Sequence, residues 1–407
     1  MKDYNLMLDV KQIRQQFPIY DHNPKLVYLD TAASSLKPKN VIDVVDHYYS
    51  KLGVNVHRGV YGLSYEATDL YEAARTTVAR FLNAKFEEIV FTRGTTASLN
   101  LVASSYQKQL KPGDEIITSE LEHHSSVLPW MQVAKNTGAT LVYVPLNSEG
   151  RITVEAFKTV LTDNTKVVAL TYVSNVMGYI TPIKEIIDLA HQKSAIVVVD
   201  AAQAAPHLKI DVTALNADFL AFSGHKILGP TGIGVLYGKK HLLNKMEPTE
   251  FGGDMVDQVE LSGATWKDTP YRFEAGTPII SGAIGLGRAI EFIESIGFDE
   301  IHAHVHALHQ YTLEQLKNIE GITVFNPTAE TGIITFNVDF VHPHDAASIF
   351  DQNQVCLRAG HHCAQLITKW LKQLATLRAT FYIYNDYEDA DRFVESVKEA
   401  VRFFKAF

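Results

Sequence analysis

Cysteine is nearly absent. The 407-residue chain has two, Cys356 and Cys363. Two thiols in so long a chain build no disulfide framework, and a reducing cytoplasm is the simplest home for them. No apolar run reaches the roughly 20 residues of a membrane span. The opening Met1-Lys2-Asp3-Tyr4-Asn5 lacks the basic region and apolar core of a signal peptide. Basic charge is in deficit, with 37 Lys and Arg against 46 Asp and Glu for a net charge of −9. That balance argues against nucleic acid or an anionic membrane as a partner. Low-complexity segments and internal repeats are also missing.

What is present is a large apolar fraction, 46%. At this length it implies two domains rather than one core. From about Leu26 to Lys239 short apolar runs alternate with amphipathic stretches. The runs lie at 88–92, 115–118, 140–144, 166–170, 195–200 and 217–222. Apolar runs without polar alternation suit strands buried on both faces, as in a mostly parallel sheet. Between them, Ala67, Leu70, Ala74, Val78 and Phe81 share one face of a helix. The pattern predicts an α/β fold with helices on both sides of the sheet. After Gly282 it changes. Helices are expected over 283–295, 298–319 and 388–404, with short strands at 332–338 and 355–358. The expected division is a large domain over 26–294 and a smaller α+β domain formed by 1–25 and 295–407.

The chemistry-bearing residues fall at strand ends. Ser223-Gly224-His225-Lys226 closes one apolar run, and Asp200 closes another with Gln203 just beyond. A lysine for a Schiff base and an aspartate for a pyridinium nitrogen are what a pyridoxal phosphate (PLP) site needs from its protein. Arg93-Gly94-Thr95-Thr96-Ala97 links a strand to a helix. Its free N–H groups and hydroxyls make a phosphate site, though an ordinary Thr-capped turn has the same look. Ser223 and His225 could add donors. His123, in Glu122-His123-His124-Ser125, and Asn175 also follow strands, where ligands bind in such sheets. Alone, the first reads equally as a loop histidine and the second as a turn former.

Arg358-Ala359-Gly360-His361-His362-Cys363-Ala364 surrounds Cys363 with groups expected to favour thiolate. Cys356, inside an apolar strand signal, reads as inert. Zinc is the competing ligand for such a cluster, but no closed four-ligand spacing exists. Arg378, inside a strand-like run, needs an anion partner, and a carboxylate matches it best. Arg272 to Pro278 says by itself only that a tight polar turn is present. His302, His306 and His309 share a helix face and read as a solvated or partner-facing surface.

In order along the chain stand Tyr28-Leu29-Asp30-Thr31-Ala32-Ala33, His57-Arg58-Gly59, Thr92-Arg93-Gly94-Thr95-Thr96, Glu122-His123-His124-Ser125 and Ser174-Asn175-Val176. They are followed by Val199-Asp200-Ala201-Ala202-Gln203, Ser223-Gly224-His225-Lys226, Phe273-Glu274-Ala275-Gly276-Thr277-Pro278, Arg358 to Ala364, and Arg378-Ala379. The ordered set resembles the fold-type I PLP enzymes of the class V aminotransferase family, and within it cysteine desulfurases of the SufS type.

The resemblance implies a seven-stranded, mostly parallel sheet and a set of roles. Lys226 would bond the cofactor and act as base on the substrate Cα. Asp200 would hold the ring nitrogen, Gln203 the ring hydroxyl, and His123 would stack on the ring. Thr95, Thr96, Ser223 and His225 would hold the phosphate. Thr277 would reach it from a second subunit, implying a homodimer. Asn175 and Arg378 would grip the carboxylate of L-cysteine or L-selenocysteine, with Arg358, His57 and Arg58 also near substrate. Cys363 would take the sulfur as a persulfide. A separate acceptor protein of iron–sulfur cluster assembly would collect it, because the short loop looks like the group II arrangement. Leu366, Ser126, Tyr61 and Gly62 depart from the usual residues without removing a catalytic group.

Overall fold

The structure, a computed structural model, describes residues 8–406. Residues 1–7, including the start read above for signal-peptide features, lie outside them. Seven strands form the main sheet: β1 (Ile89–Thr92), β2 (Glu115–Ser119), β3 (Thr140–Val144), β4 (Thr165–Thr171), β5 (Ile196–Asp200), β6 (Phe219–Ser223) and β7 (Gly234–Gly238). Their order is β1-β7-β6-β5-β4-β2-β3. Every pairing is parallel except those of β7, which runs antiparallel to β1 and to β6. The other six strands therefore point the same way, and their carboxyl ends share one edge.

Four of the six apolar runs become interior strands covered by helices, and those at 88–92 and 140–144 become the edge strands β1 and β3. All five residues of β6 are buried, whereas the edge strand β3 begins with exposed Thr140. β7 is absent from the runs read in the sequence, since glycines bound its short apolar core. Packing specifies it instead. A Cβ on Gly234 would stand 2.4 Å from the Cα of Gly94, so the two backbones meet directly.

The helix Gly62–Leu82 buries Ala67, Ala74, Val78 and Phe81 as its spacing predicts, while Leu70 is half-buried. Beyond the helices Ile280–Ile296 and Phe298–Leu316 lies a second, antiparallel sheet. Its strands are β8 (Ile322–Val324), β9 (Ile333–Val338), β10 (Arg358–Gly360) and β11 (Thr376–Thr380), in the order β8-β9-β11-β10. The terminal helix Tyr387–Lys405 buries Phe393, Val394 and Val397 against this sheet. Val27–Tyr28 pairs in parallel with Val355–Cys356, and Val27 and Leu29 join the apolar cluster under the second sheet. Arg14 donates to the carbonyl of Tyr384 at 2.8 Å and pairs with Asp389 and Asp386. Chain start and chain end are thereby tied together.

The turn at 272–278 holds more than its sequence announces. Glu274 accepts from both terminal nitrogens of fully buried Arg75, at 2.7 and 2.9 Å, from the Tyr71 hydroxyl at 2.9 Å and from the Phe91 N–H at 2.7 Å. Burial disfavours the Arg75 charge, but Glu274 outweighs it and raises the pKa. Without Glu274 the two terminal nitrogens of Arg75 lose their carboxylate and only its Nε keeps one, Glu72 at 2.9 Å, and breaking a buried pair costs about 3–5 kcal/mol. Glu274→Ala is therefore expected to lower the urea unfolding free energy by that amount, read from equilibrium denaturation. An unchanged midpoint would contradict the buried pair.

The histidine face reads differently in three dimensions. His302 and His306 are exposed, with rings stacked at 6.0 Å, but His309 is fully buried. The expected common surface fails for His309 because the start of β9, at Ile333, covers that turn of the shared face. Among the described residues no group of three or more His, Cys, Asp or Glu is placed to hold a metal ion.

Candidate active site

Five strands deliver side chains to one cavity of about 160 Å³ at their carboxyl edge. Thr95 and Thr96 follow β1, His123 follows β2, and Thr171, Val173 and Asn175 end or follow β4. Asp200 and Gln203 come from the end of β5, and Ser223, His225 and Lys226 from the end of β6. From the second sheet come Arg358, His362, Cys363 and Arg378. Parallel strands feeding loops to one edge are the reason these distant motifs converge. A larger cavity of about 310 Å³ contains Thr277 but no lysine, so chemistry rather than size identifies the site.

The phosphate-like end is built from the turn after β1. Gly94 has φ of 148°, a value that favours glycine, and the helix Thr95–Tyr106 starts immediately after it. Thr95 donates its N–H to the Ser223 hydroxyl at 2.8 Å, and the two hydroxyls are 2.7 Å apart. Thr96 and Ser125 hydroxyls meet at 2.6 Å. Hydroxyls gathered at a helix amino terminus suit an anion.

Electrostatics separates the groups by role. Burial pulls the Lys226 amine down to about 8, with Asp200 opposing. The same burial raises the Asp200 carboxyl, against a hydrogen bond from the Ala202 N–H at 2.9 Å and the nearby Lys226. His123 is pulled to about 3 by burial and by Lys226. It is therefore a neutral ring. Its Nδ1 accepts from the Ser125 N–H at 3.1 Å, which leaves the proton on Nε2. His225 falls to about 4 by burial and Lys226. Gln203 donates to the Ala32 carbonyl at 2.6 Å. Only the unprotonated amine attacks a carbonyl. The rate at which Lys226 captures added PLP should therefore rise with pH through about 8 and level above it, followed by absorbance of the cofactor-free protein. A flat profile from pH 6 to 10 would contradict it.

At the other wall, Arg378 is buried and burial lowers its pKa to about 10, against Asp30. It donates to the Asn175 carbonyl at 2.9 Å and to Asp30 at 3.3 Å, and its Nε has no partner. Asp30 also accepts from Arg358 at 3.0 and 3.2 Å. The sequence led to a carboxylate for Arg378, and Asp30 is one, but it is shared between two guanidinium groups. Two cations against one carboxylate leave one positive charge for an incoming anion. Cys363 is exposed and φ-positive at 55°, as is His362 at 53°. His362 is buried, pulled to about 2 by burial and Arg378, and donates from Nε2 to Thr376. It therefore brings no positive charge beside the thiol, contrary to the part assigned to it above. Cys356 is half-buried and its thiol is pushed up by burial.

His57, Arg58 and Thr277 are not in this cavity. His57 bonds Glu72 at 2.6 Å and lines a separate hollow, and Arg58 pairs with Asp254. The sequence reading gave no role to Asp30 or Glu122, and it gave His362 a charge that burial removes. Glu122 is fully buried beside His123, accepts from the Ser119 and Ser126 hydroxyls at 2.7 and 2.8 Å, and is raised to about 7 by burial. Its place next to His123 was the available signal. Asp30 had none, because its partners lie more than 300 residues away.

A lysine, a buried carboxylate and a hydroxyl-lined helix start in one pocket define a PLP-type site, and the donor set fits that cofactor. The chain belongs to the aminotransferase class-V family, whose model matches residues 27–393. Within that family it groups with the cysteine desulfurases. A probable cysteine desulfurase of Halalkalibacterium halodurans is 53% identical, over 98% of this chain and 99% of that protein. One from Staphylococcus aureus is 52% identical over 97% and 98%. Among solved structures, the Escherichia coli cysteine desulfurase CsdA is 39% identical with a TM-score of 0.92, covering 98% of this chain and 99% of that one. The apo cysteine desulfurase of Thermococcus onnurineus is 42% identical with a TM-score of 0.93, covering 97% and 98%. PLP is the cofactor typical of this family. No described helix is long and apolar enough to cross a membrane.

Proposed function

We propose that this chain removes sulfur from L-cysteine, releasing L-alanine and carrying the sulfur as a persulfide on Cys363. The observation that carries the reading is an exposed thiol on the wall of the cavity that also holds Lys226 and Asp200. Bound PLP supplies an electron sink for charge at the substrate Cα. Lys226 anchors it and afterwards moves the Cα proton, with an amine pKa near 8 that allows both states. Asp200 would hold the ring nitrogen, and neutral His123 would lie on the ring and move a proton at Nε2. Thr95, Thr96, Ser223 and His225 would hold the phosphate, and Gln203 the ring hydroxyl. The spare positive charge of the Arg358–Asp30–Arg378 set, with Asn175, takes the substrate carboxylate.

The thiolate of Cys363 attacks the substrate sulfur. The S–S bond forms as the C–S bond breaks, and the released electron pair passes to the substrate carbon. Protonation there gives alanine, so cysteine plus enzyme thiol balances alanine plus enzyme persulfide, with no outside oxidant. The exposed persulfide then passes to a thiol of an acceptor protein of iron–sulfur cluster assembly. Two free thiols suit a reducing cytoplasm for this traffic. The division into 26–294 and 1–25 with 295–407 belongs to the same proposal. It has the second sheet bring the Cys363 loop to the cofactor domain.

A homodimer completes the proposal. Thr277, His57 and Arg58 lie outside their own chain's cavity, and Val60, Tyr61, Tyr65, Phe251, Val259 and Leu261 expose apolar surface. In a dimer Thr277 would serve the other subunit's phosphate. With purified enzyme, PLP and cysteine, alanine should appear in proportion to persulfide sulfur in the absence of reductant. Accumulation of a keto acid instead would mark a transaminase.

A further inference from the structure

We propose that His124 is a positioning residue that clasps the nucleophile loop to the cofactor edge of the main sheet. The inference rests on the reading of Cys363 as sulfur carrier. The backbone N–H of His124 donates to the carbonyl of Cys363 at 2.7 Å. Its side-chain Nε2 accepts from the N–H of Gln365 at 3.1 Å. One residue thus bonds the chain at the nucleophile and again two residues beyond it, across 241 positions of sequence.

The need for a clasp follows from the loop. His362 and Cys363 both hold positive φ, which persists in side-chain-bearing residues only where surroundings over-determine it. Gln365 opens the helix Gln365–Trp370, and its N–H has no partner inside that helix. Ala364, at the cap position, has no side-chain acceptor, so the distant imidazole takes that place. The upstream side is held separately. Asn175 donates to the His362 carbonyl at 2.8 Å, and the His362 ring bonds Thr376.

The two adjacent histidines thereby divide the work. His123 lines the cavity, and His124 fixes how far the thiol stands from it. Because both sit in one turn, a shift of the Cys363 loop relative to His123 must break a His124 bond.

Two substitutions separate the acceptor from bulk. His124→Leu removes Nε2 and keeps the backbone N–H. His124→Gln offers an amide oxygen with similar reach. Two readouts are made on the full-length, PLP-loaded enzyme. The first is hydrogen exchange of the peptide covering residues 361–370, followed by mass spectrometry. The second is persulfide formation on Cys363 in a single turnover with cysteine. In His124→Leu the Gln365 amide should exchange roughly tenfold faster, as loss of one hydrogen bond implies. Persulfide formation should slow by about tenfold or more through misplacement of the thiol, with KM and the cofactor absorbance unchanged. His124→Gln should recover most of both.

Unchanged exchange in His124→Leu overturns the clasp. So does a His124→Gln enzyme as impaired as His124→Leu while keeping its cofactor band. If wild type forms no persulfide, the desulfurase reading fails instead, and the exchange arm still decides the clasp.

Discussion

Cys363→Ala is expected to lower turnover of L-cysteine by at least about a thousandfold, roughly 4 kcal/mol of lost transition-state stabilisation. The reason is local. Cys363 is the one cysteine in the cavity, and the other, Cys356, is half-buried in a strand beside Tyr28 with its thiol raised by burial. A neighbouring thiol therefore does not replace it. PLP capture by Lys226 should change little, since Cys363 is not among the residues proposed to hold the phosphate or the ring and is only a minor influence on the Lys226 amine. Alanine release assayed beside the cofactor absorbance separates the two. A Cys363→Ala enzyme with full cysteine turnover would contradict the persulfide mechanism, whereas loss of the cofactor band would indicate damage to the pocket. L-selenocysteine sharpens the comparison. Selenium leaves carbon more readily, so its turnover should depend less on Cys363.

Lys226→Ala should be more severe. On the proposed roles it removes the cofactor's covalent anchor and the base for the Cα proton together. General acid–base catalysis alone is worth about 10²–10⁴-fold, and loss of the covalent attachment adds to it. Stability should move in the opposite direction from activity. Burial depresses the Lys226 amine below the value it has in the unfolded chain, so the unfolded state binds its proton more tightly. Below pH 8 the buried charge costs the folded state free energy, and that cost shrinks as pH rises from about 8 toward the unfolded value. The cofactor-free Lys226→Ala protein should therefore unfold at higher urea than cofactor-free wild type at pH 6 to 7, with a smaller gain at pH 10. Equal midpoints at pH 6.5 would contradict burial of a charged amine.

These effects are predicted at residues whose convergence on one cavity was legible from short-range pattern. Lys226, Asp200, His123 and the Thr95–Thr96 turn each close an apolar run, and a strand end is where a parallel sheet presents ligands. Six of the seven strands were legible as apolar runs, and burial on both faces accounts for the missing polar alternation in the interior ones. β7 was not, because its place depends on the close approach of Gly234 to Gly94 rather than on its own composition. The Arg75–Glu274 pair and the Asp30 bridge were hidden too. A carboxylate in a turn looks the same whether it meets water or an arginine two hundred residues away. His309 shows the converse error, in which the shared helix face was right but its cover by β9 at Ile333 was not foreseen.

The central claim is that sulfur travels from substrate to Cys363, and one mass measurement tests it most directly. The PLP-loaded protein is treated with L-cysteine, digested without reductant, and the peptide containing Cys363 is weighed. A gain of about 32 Da on that residue, removed by a thiol reductant, is the predicted result. An unmodified Cys363 in protein that is releasing alanine would contradict it.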